Sequence, residues 1–570
     1  MIRDYYDETR SPFAELGRHF FLSLFHPEST SGEDSFTTWL AQILAVLITA
    51  SWFLPVQLFR RYSDLHGLDG PEPYRLAYAS DCLSALVLMC LLVGVLTVLE
   101  WPALFPSRRD QLVLTPLPLQ RTELFGAKLA ALLVFVTLFI AAITLCCSVS
   151  LPAIASGRWE PRSVWLRMFA WFFASTCACY FVFLSLLAWQ GLLMMLLPVR
   201  WFEPASFTVQ MTLLVALLSG FPLFFYFPAS HLIASRSPLL EWLPPAWYWG
   251  VSEWMLGSRD PAIGTLASHA GLAFAIALVT AATSYLVSYL QYNRYALEFT
   301  RPARKPHIRW SAILARFFHA PQAQGVAEFI TCSIARGRQQ QMVFLLIFGL
   351  GLALIFESSV YVGLRLGQRG FERHSVTVQS AVLALPLTLS FFAMVGLRRA
   401  FRVALDLPAN WLFRFAESES SRRSQMDAVF RAFVLMGGMP MLLLGLPVEW
   451  LAFGVRGLWA FPLQFLLMLT LAEHLLTDWR SIPFTFASDP ARRHLIHSAI
   501  LHFAELSIYS FASSAWILAA LYTTKALLWF VAVTGTILAI LHYRRLRTWG
   551  REPLEFIEII PPAVEPLQLV

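Results

Sequence analysis

Met168 to Val199 reads MFAWFFASTCACYFVFLSLLAWQGLLMMLLPV, 32 residues without an Asp, Glu, Lys, Arg or His. A helix rises about 1.5 Å per residue, so roughly 20 apolar residues cross a hydrocarbon layer about 30 Å thick. This stretch has no polar face to offer water, and it is long enough to span. Windows of the same kind recur on both sides of it. Ser35–Phe59, Cys82–Leu99, Leu129–Gly157, Pro204–Ser230 and Ala270–Asn293 complete a first set with it. A second set comprises Gln339–Phe356, Ser375–Leu397, Ala432–Val448, Gly457–Ala472, Leu506–Thr524 and Ala526–Leu541. The pattern predicts an all-α polytopic transmembrane bundle of twelve spans.

Composition agrees. Of 570 residues, 57% are apolar and only 14% charged, against about 25% charged in ordinary soluble domains. The formal charge of +7 does not point to nucleic acid, because the basic residues are scattered over the segments between windows, as membrane topology requires. Cysteines number seven, an odd count, and all but Cys332 lie inside apolar windows. A free thiol there behaves as a small hydrophobe, so neither a disulfide framework nor a zinc site is indicated. Asp4, Asp7 and Glu8 open the chain in place of a basic and then apolar leader, so the first apolar helix is expected to direct insertion.

With the N-terminus placed inside, 30 of the 43 Lys and Arg residues fall on the cytoplasmic side. That bias predicts both termini in the cytoplasm. The expected organisation is a cytoplasmic N-terminal segment 1–34, a six-span half 35–293, a linker 294–338, a second half 339–543 and a cytoplasmic tail 544–570. Each half has the same plan. An amphipathic stretch comes first: Phe13, Leu16, Phe20 and Leu24, then Val326, Phe329, Ile330 and Ile334, spaced to share one helix face. It reads either as an interfacial elbow or as an extension of the next span. Two spans follow, then a basic loop (102–128 or 398–427), then four more spans. An even number of spans per half gives both halves the same orientation, related by an axis along the membrane normal.

The chain has no G-x-x-x-x-G-K-[ST], so it cannot hydrolyse ATP by that route, and it also lacks H-E-x-x-H, G-x-S-x-G and C-x-x-C. His494, His497 and His502 cluster near the eleventh span, where hydrogen bonding or snorkelling is the ordinary role and a metal the exceptional one. Ionisable groups in or beside spans are costly and therefore functional candidates: Asp81, Glu100, Glu357, Glu449, Glu473 and Glu505. Glu505 lies deepest, one turn after His502, so these two and Glu357 are the intramembrane polar candidates.

The loop after the second span carries Arg108, Arg109 and Asp110, then an apolar turn and a proline-set restart at Gln120. Such a segment suits docking to a soluble partner or anchoring on lipid headgroups. Its continuation, LVLTPLPLQRTELFGAKLAALLVF at 112–135, resembles the stretch that opens the third span in permeases of type 2 ABC transporters. LPPAWYWG at 243–250, LRRAF at 397–401, LPANWLFRFAE at 407–417 and DWRSIPFT at 478–485 are similar to pieces of the large two-half members. The resemblance implies an elbow helix, a coupling helix between second and third spans, and a re-entrant outer segment between fifth and sixth. It places Arg108, Arg109, Asp110, Arg121, Glu123 and Lys128 in the ATPase-coupling region, with Asn410, Trp411, Arg414 and Glu417 in the corresponding loop of the second half. Pro244, Pro245, Trp247 and Tyr248 fall in the outer segment.

The expected function is an exporter permease of the bacterial inner membrane, without catalytic residues, cofactor or metal of its own. ATP and Mg act in a partner ABC ATPase, present in two copies, and membrane lipids are the remaining partners. Two nucleotide-independent alternatives stand beside it. One is a secondary transporter with Glu505 or Glu357 as proton site; the other is a membrane-embedded enzyme acting on lipid-linked substrates, with Glu505, His502 and His497 as its polar centre.

Overall fold

The protein is described by a computed structural model over residues 12–23, 33–66, 71–101, 104–105, 121–156, 162–224, 227–298, 320–366, 376–404, 413, 415, 418–485, 495–551 and 554. Among these residues there is no strand. Eleven helices are long and apolar enough to cross a membrane, beginning with Pro71–Leu99 and ending with Thr524–Trp549. Only a helix closes every backbone hydrogen bond within one segment, which is why apolar windows this long fold no other way in lipid. Two compact units result, Met1–Ala303 and Arg304–Val570.

The first unit comprises α1 (Pro12–Ser23), α2 (Glu33–His66), α3 (Pro71–Leu99), α4 (Arg121–Ile154), α5 (Val164–Leu196), α6 (Val199–Phe224), the short α7 (Ala229–Ala234), α8 (Leu239–Trp242) and α9 (Pro244–Met255), and α10 (Pro261–Glu298). Helix α2 covers the first apolar window, and α5 runs unbroken through the quoted stretch as far as Leu196, where Leu197 and Pro198 end it before α6. Helices outrun their windows wherever charged residues ride on the ends. Thus α4 starts at Arg121 rather than Leu129, and α10 continues past Asn293 to Glu298. The bundle is drawn together where side chains are smallest. A Cβ on Gly191 of α5 would collide with Ser284 of α10, so the two backbones touch there. The open carbonyls at the end of α3 are taken up by neighbours: Gln190 Nε2 donates to Trp101 O at 2.9 Å and Gln210 Nε2 to Val98 O at 2.9 Å. Without such partners a helix end buried in apolar surroundings would leave unsatisfied acceptors.

The second unit comprises α11 (Pro321–Arg336), α12 (Arg338–Leu366), α13 (Val376–Ala400), α14 (Glu419–Phe433), a π turn at Val434–Gly438, α15 (Met439–Phe453), α16 (Val455–Leu458) and α17 (Ala460–Leu476). After these come α18 (Leu495–Leu506), a second π turn at Ser507–Ala512, α19 (Ser513–Tyr522) and α20 (Thr524–Arg551). The first π turn ends two residues before Pro440. Proline has no N–H and its ring crowds the carbonyl four residues back, so the ladder slips by one residue rather than breaking. The second π turn is tied to α13 by hydroxyls: Tyr509 Oη lies 2.8 Å from Ser390 Oγ, and Ser510 Oγ 2.6 Å from Thr388 Oγ1. Within apolar surroundings such pairs hold helices together that have no solvent to flee.

The amphipathic stretches form helices of their own. Leu16 and Phe20 of α1 are buried and pack on the start of α4, where Phe13 reaches Gly126; Leu24 lies outside the described residues. In the second unit Val326, Ala327 and Ile330 of α11 are buried, largely against α14. Gly337, in an extended conformation, ends α11 before α12 begins, so this stretch is a separate element and not an extension of the span.

Candidate functional site

Of the coupling-region residues, Arg108, Arg109, Asp110, Asn410, Trp411, Arg414 and Glu417 lie outside the described residues. Arg121 opens α4, and Glu123 sits half-buried in its first turn. Lys128 is 5% exposed, with its ammonium 4.8 Å from the centre of the Phe20 ring. A cation over a desolvated aromatic face is held by about 0.5–2 kcal/mol. Lys128 therefore fastens α1 to α4, about two turns from the start of α4.

The segment LPPAWYWG starts α9, with Pro244 and Pro245 in the first turn, where missing N–H groups cost nothing. Helix α9 lies antiparallel along the first third of α10. A Cβ on Gly250 would stand 2.6 Å from Leu266 Cβ, so glycine permits the contact. Trp247 stacks edge-on to His269 at 6.1 Å, and its Nε1 donates to Glu241 O at 2.8 Å. Tyr248 is buried, 5.6 Å from Phe181 in the middle of α5. Since His269 is eight residues along α10 from Pro261, the first turn of α9 lies about 12 Å along α10 from the start of that helix. Helix α9 thus packs between α10, α5 and α3.

Two quoted pieces of the second unit meet in one buried junction. Phe401, closing LRRAF, accepts a 2.8 Å hydrogen bond at its carbonyl from the Phe484 N–H of DWRSIPFT. Its ring packs against Trp479 and Phe484 at 6.1 and 5.6 Å. Arg402 lies over Trp479 at 5.4 Å, and Trp549 Nε1 donates to Trp479 O at 2.9 Å. Phe484 holds a left-handed backbone, φ +68°, which costs a bulky residue of order 1–2 kcal/mol and persists because its buried ring is fixed.

Beside this junction stand the acids. Glu505 Oε2 lies 2.8 Å from His502 Nδ1, as the i, i+3 spacing predicts, and its Oε1 lies 3.1 Å from His474 Nε2 of α17. The adjacent Glu473 turns the other way, to α20: its Oε1 is 2.9 Å from His542 Nδ1 and its Oε2 pairs with Arg545. The Arg545 guanidinium is also sandwiched by Phe430 at 3.8 Å and Trp549 at 4.2 Å. His474, His542 and Arg545 were not among the sequence candidates, because pairs 31, 69 and 72 residues apart leave no local spacing signal. Glu357 is half-buried on α12 without a hydrogen bond or ion pair among the described residues. His494 lies outside those residues and the His497 side chain is not described. Among the described residues no group of three or more His, Cys, Asp or Glu could hold a metal ion. In the first unit Asp81 is bound by Arg61 at 2.7 Å and Tyr62 at 2.8 Å. Glu100 stands one residue beyond α3, and burial pushes its carboxyl up to about 7.

These helices define a multi-pass integral membrane protein of the all-α class. No protein-family model, curated protein or solved structure matches the chain.

Proposed function

We propose that the chain is the permease subunit of an ABC-type exporter in the bacterial inner membrane. It has twelve spans in two six-helix halves with both termini cytoplasmic, and moves substrate across or out of the membrane on ATP hydrolysed by separate subunits. The observation that carries this reading is the paired docking of amphipathic helices, α1 on α4 and α11 on α14. In each case the receiving helix is the one that follows the long basic loop. The loop residues Arg108 to Asp110 meet the partner; α4 begins eleven residues further along the chain, at Arg121, and continues for 34 residues. A displacement of the loop therefore moves a rod about 50 Å long and, through Lys128 and Phe20, the elbow lying on it. Mg and ATP remain with the partner, and this chain contributes the moving wall of the pathway, by alternating access or a gated lateral opening. The short helix α9 packed on α10 supports the same reading, since the resemblance implies a re-entrant segment at 243–250.

The test is affinity purification of the tagged chain in mild detergent from its native host, with co-purifying proteins identified by mass spectrometry. An approximately stoichiometric Walker-type ATPase is expected. Its stimulation should vanish in Arg109→Glu/Asp110→Arg while the permease melts as before, and unchanged coupling would refute the assignment.

A second reading draws on Glu505 held between His474 and His502, an arrangement suited to passing a proton. Transport driven by a pH gradient without nucleotide, lost in Glu505→Gln, would favour this secondary transporter over the permease.

A further inference from the structure

Beside α9 in the first unit, a cavity of about 560 Å³ opens between the starts of α3 and α10, the residues just before α5, and the turn from α7 to α8. Its size is that of a small-molecule site, and its walls are unusual for a membrane bundle. Charge of both signs converges there in equal number: Arg75, Arg162, Arg167 and Arg236 against Glu72, Glu241, Glu253 and Asp260.

Part of this charge is settled internally. Arg162 lies 3.6 Å from Glu253, and Arg236 lies 3.0 Å from Asp260. Asp260 is itself fixed by accepting the Ala262 N–H at 3.0 Å. Arg236 keeps this geometry with a left-handed backbone, φ +46°, so the turn is held against strain where it borders the cavity. Arg167 is 1% exposed; its guanidinium lies over the Tyr78 ring at 4.5 Å and donates to Ala155 O at 3.1 Å. The remaining groups, Arg75, Glu72 and Glu241, carry charge into the cavity without an ion pair among the described residues. One cationic and two anionic arms thus stand open in a site whose other walls include the buried Trp249 and Leu240. Next to the cavity, Leu239 and Trp242 of α8 are 62% and 83% exposed, an apolar lip of the kind that sits at a membrane–water boundary.

We infer that this cavity binds a zwitterionic amphiphile of the phosphoethanolamine class. Its phosphate meets Arg75, its ammonium meets Glu241 and Glu72, and its tail lies over Leu239 and Trp242. Guanidinium suits phosphate oxygens, and a carboxylate pair suits an ammonium. A ligand of net zero charge leaves the balanced wall balanced. The site is independent of nucleotide, so its occupancy and the permease reading stand or fall separately.

The experiment is isothermal titration of the full chain in maltoside detergent with three probes: dihexanoylphosphatidylethanolamine, dihexanoylphosphatidylglycerol and free phosphoethanolamine. Saturable binding of the ethanolamine lipid at one per chain is expected, with the glycerol lipid at least tenfold weaker. Arg75→Gln should weaken the ethanolamine lipid about tenfold, and Glu241→Gln should narrow or reverse the preference between the two lipids. Both side chains are exposed, Glu241→Gln is nearly isosteric, and an unchanged melting temperature verifies that the variants fold. Binding of the lipid alone identifies the source as a bilayer lipid, while equal binding of free phosphoethanolamine identifies it as a soluble zwitterion; either supports the site. Absence of saturable binding by both zwitterions, equal affinity for the glycerol lipid, or wild-type behaviour of both variants would overturn it.

Discussion

Glu473 and Arg545 have side chains only 3% exposed, and a charge in such a place survives only while its partner is there. Removing one member strands the other, at a cost of about 3–5 kcal/mol, whereas replacing both by neutral groups of similar volume is far milder. Arg545→Met is therefore expected to lower the melting temperature in detergent markedly, and Glu473→Gln/Arg545→Met to recover most of the loss; additive single effects would contradict the pairing. Glu100 makes the opposite case, an acid whose burial favours the neutral form. Its folded value of about 7 exceeds the 4.5 of a free side chain. The folded state thus binds the extra proton, and stability is fully present below about pH 4.5 and falls as pH rises through 7. Glu100→Gln should match the parent near pH 5 and melt progressively above it from pH 6 to 8, as thermal scans across that range would reveal. At this scale the sequence was legible only where partners are near neighbours. The i, i+3 spacing announced His502 beside Glu505, but nothing local announced His474, or the attachment of Glu473 to α20.

At the scale of elements, uncharged windows located the spans because hydrocarbon tolerates no other backbone. Their ends were not legible from those windows, since a helix continues into the interface while its side chains turn polar. Arg121 to Lys128 belong to α4 for that reason. The π turns were also invisible. One follows from a proline whose effect acts four residues upstream, the other from hydroxyl contacts across 119 and 122 residues. A double-mutant cycle on Ser390→Ala and Tyr509→Phe should give a coupling of about 0.6 kcal/mol, the usual worth of such a pair between membrane helices. Gly250→Ala tests the seating of α9 on α10. A methyl 2.6 Å from Leu266 Cβ pushes α9 off α10, and the overpacking should cost about 1–3 kcal/mol. Thermal unfolding would register it, and an unchanged melting temperature would mean that α9 is not tightly seated.

For the whole molecule, composition sufficed to identify a membrane protein, and the described helices bear that out with eleven candidate spans. The coupling role proposed for the loops rests on resemblance alone, and most of their named residues fall outside the described ones. What the structure adds is the setting of those loops: each is followed by a helix carrying an amphipathic element on its flank. If the loops transmit force, loosening α1 should uncouple without unfolding. Phe20→Ala is expected to remove the ring over Lys128 and reduce nucleotide-stimulated activity several-fold more than it reduces the melting temperature in proportion. Equal losses in both would assign the contact to stability alone.

Helix α9 has one more consequence, for biogenesis. Twelve residues are too few to halt in a translocon as a span, and one wall of their seat, α10, is synthesised after them. The hairpin must therefore leave the ribosome undocked and wait until α10 has entered the bilayer before Gly250 can meet Leu266. Maturation of this chain thus includes a post-insertional step that resembles the closing of a latch, and a block in α10 insertion would strand an aromatic segment for quality-control proteases to find.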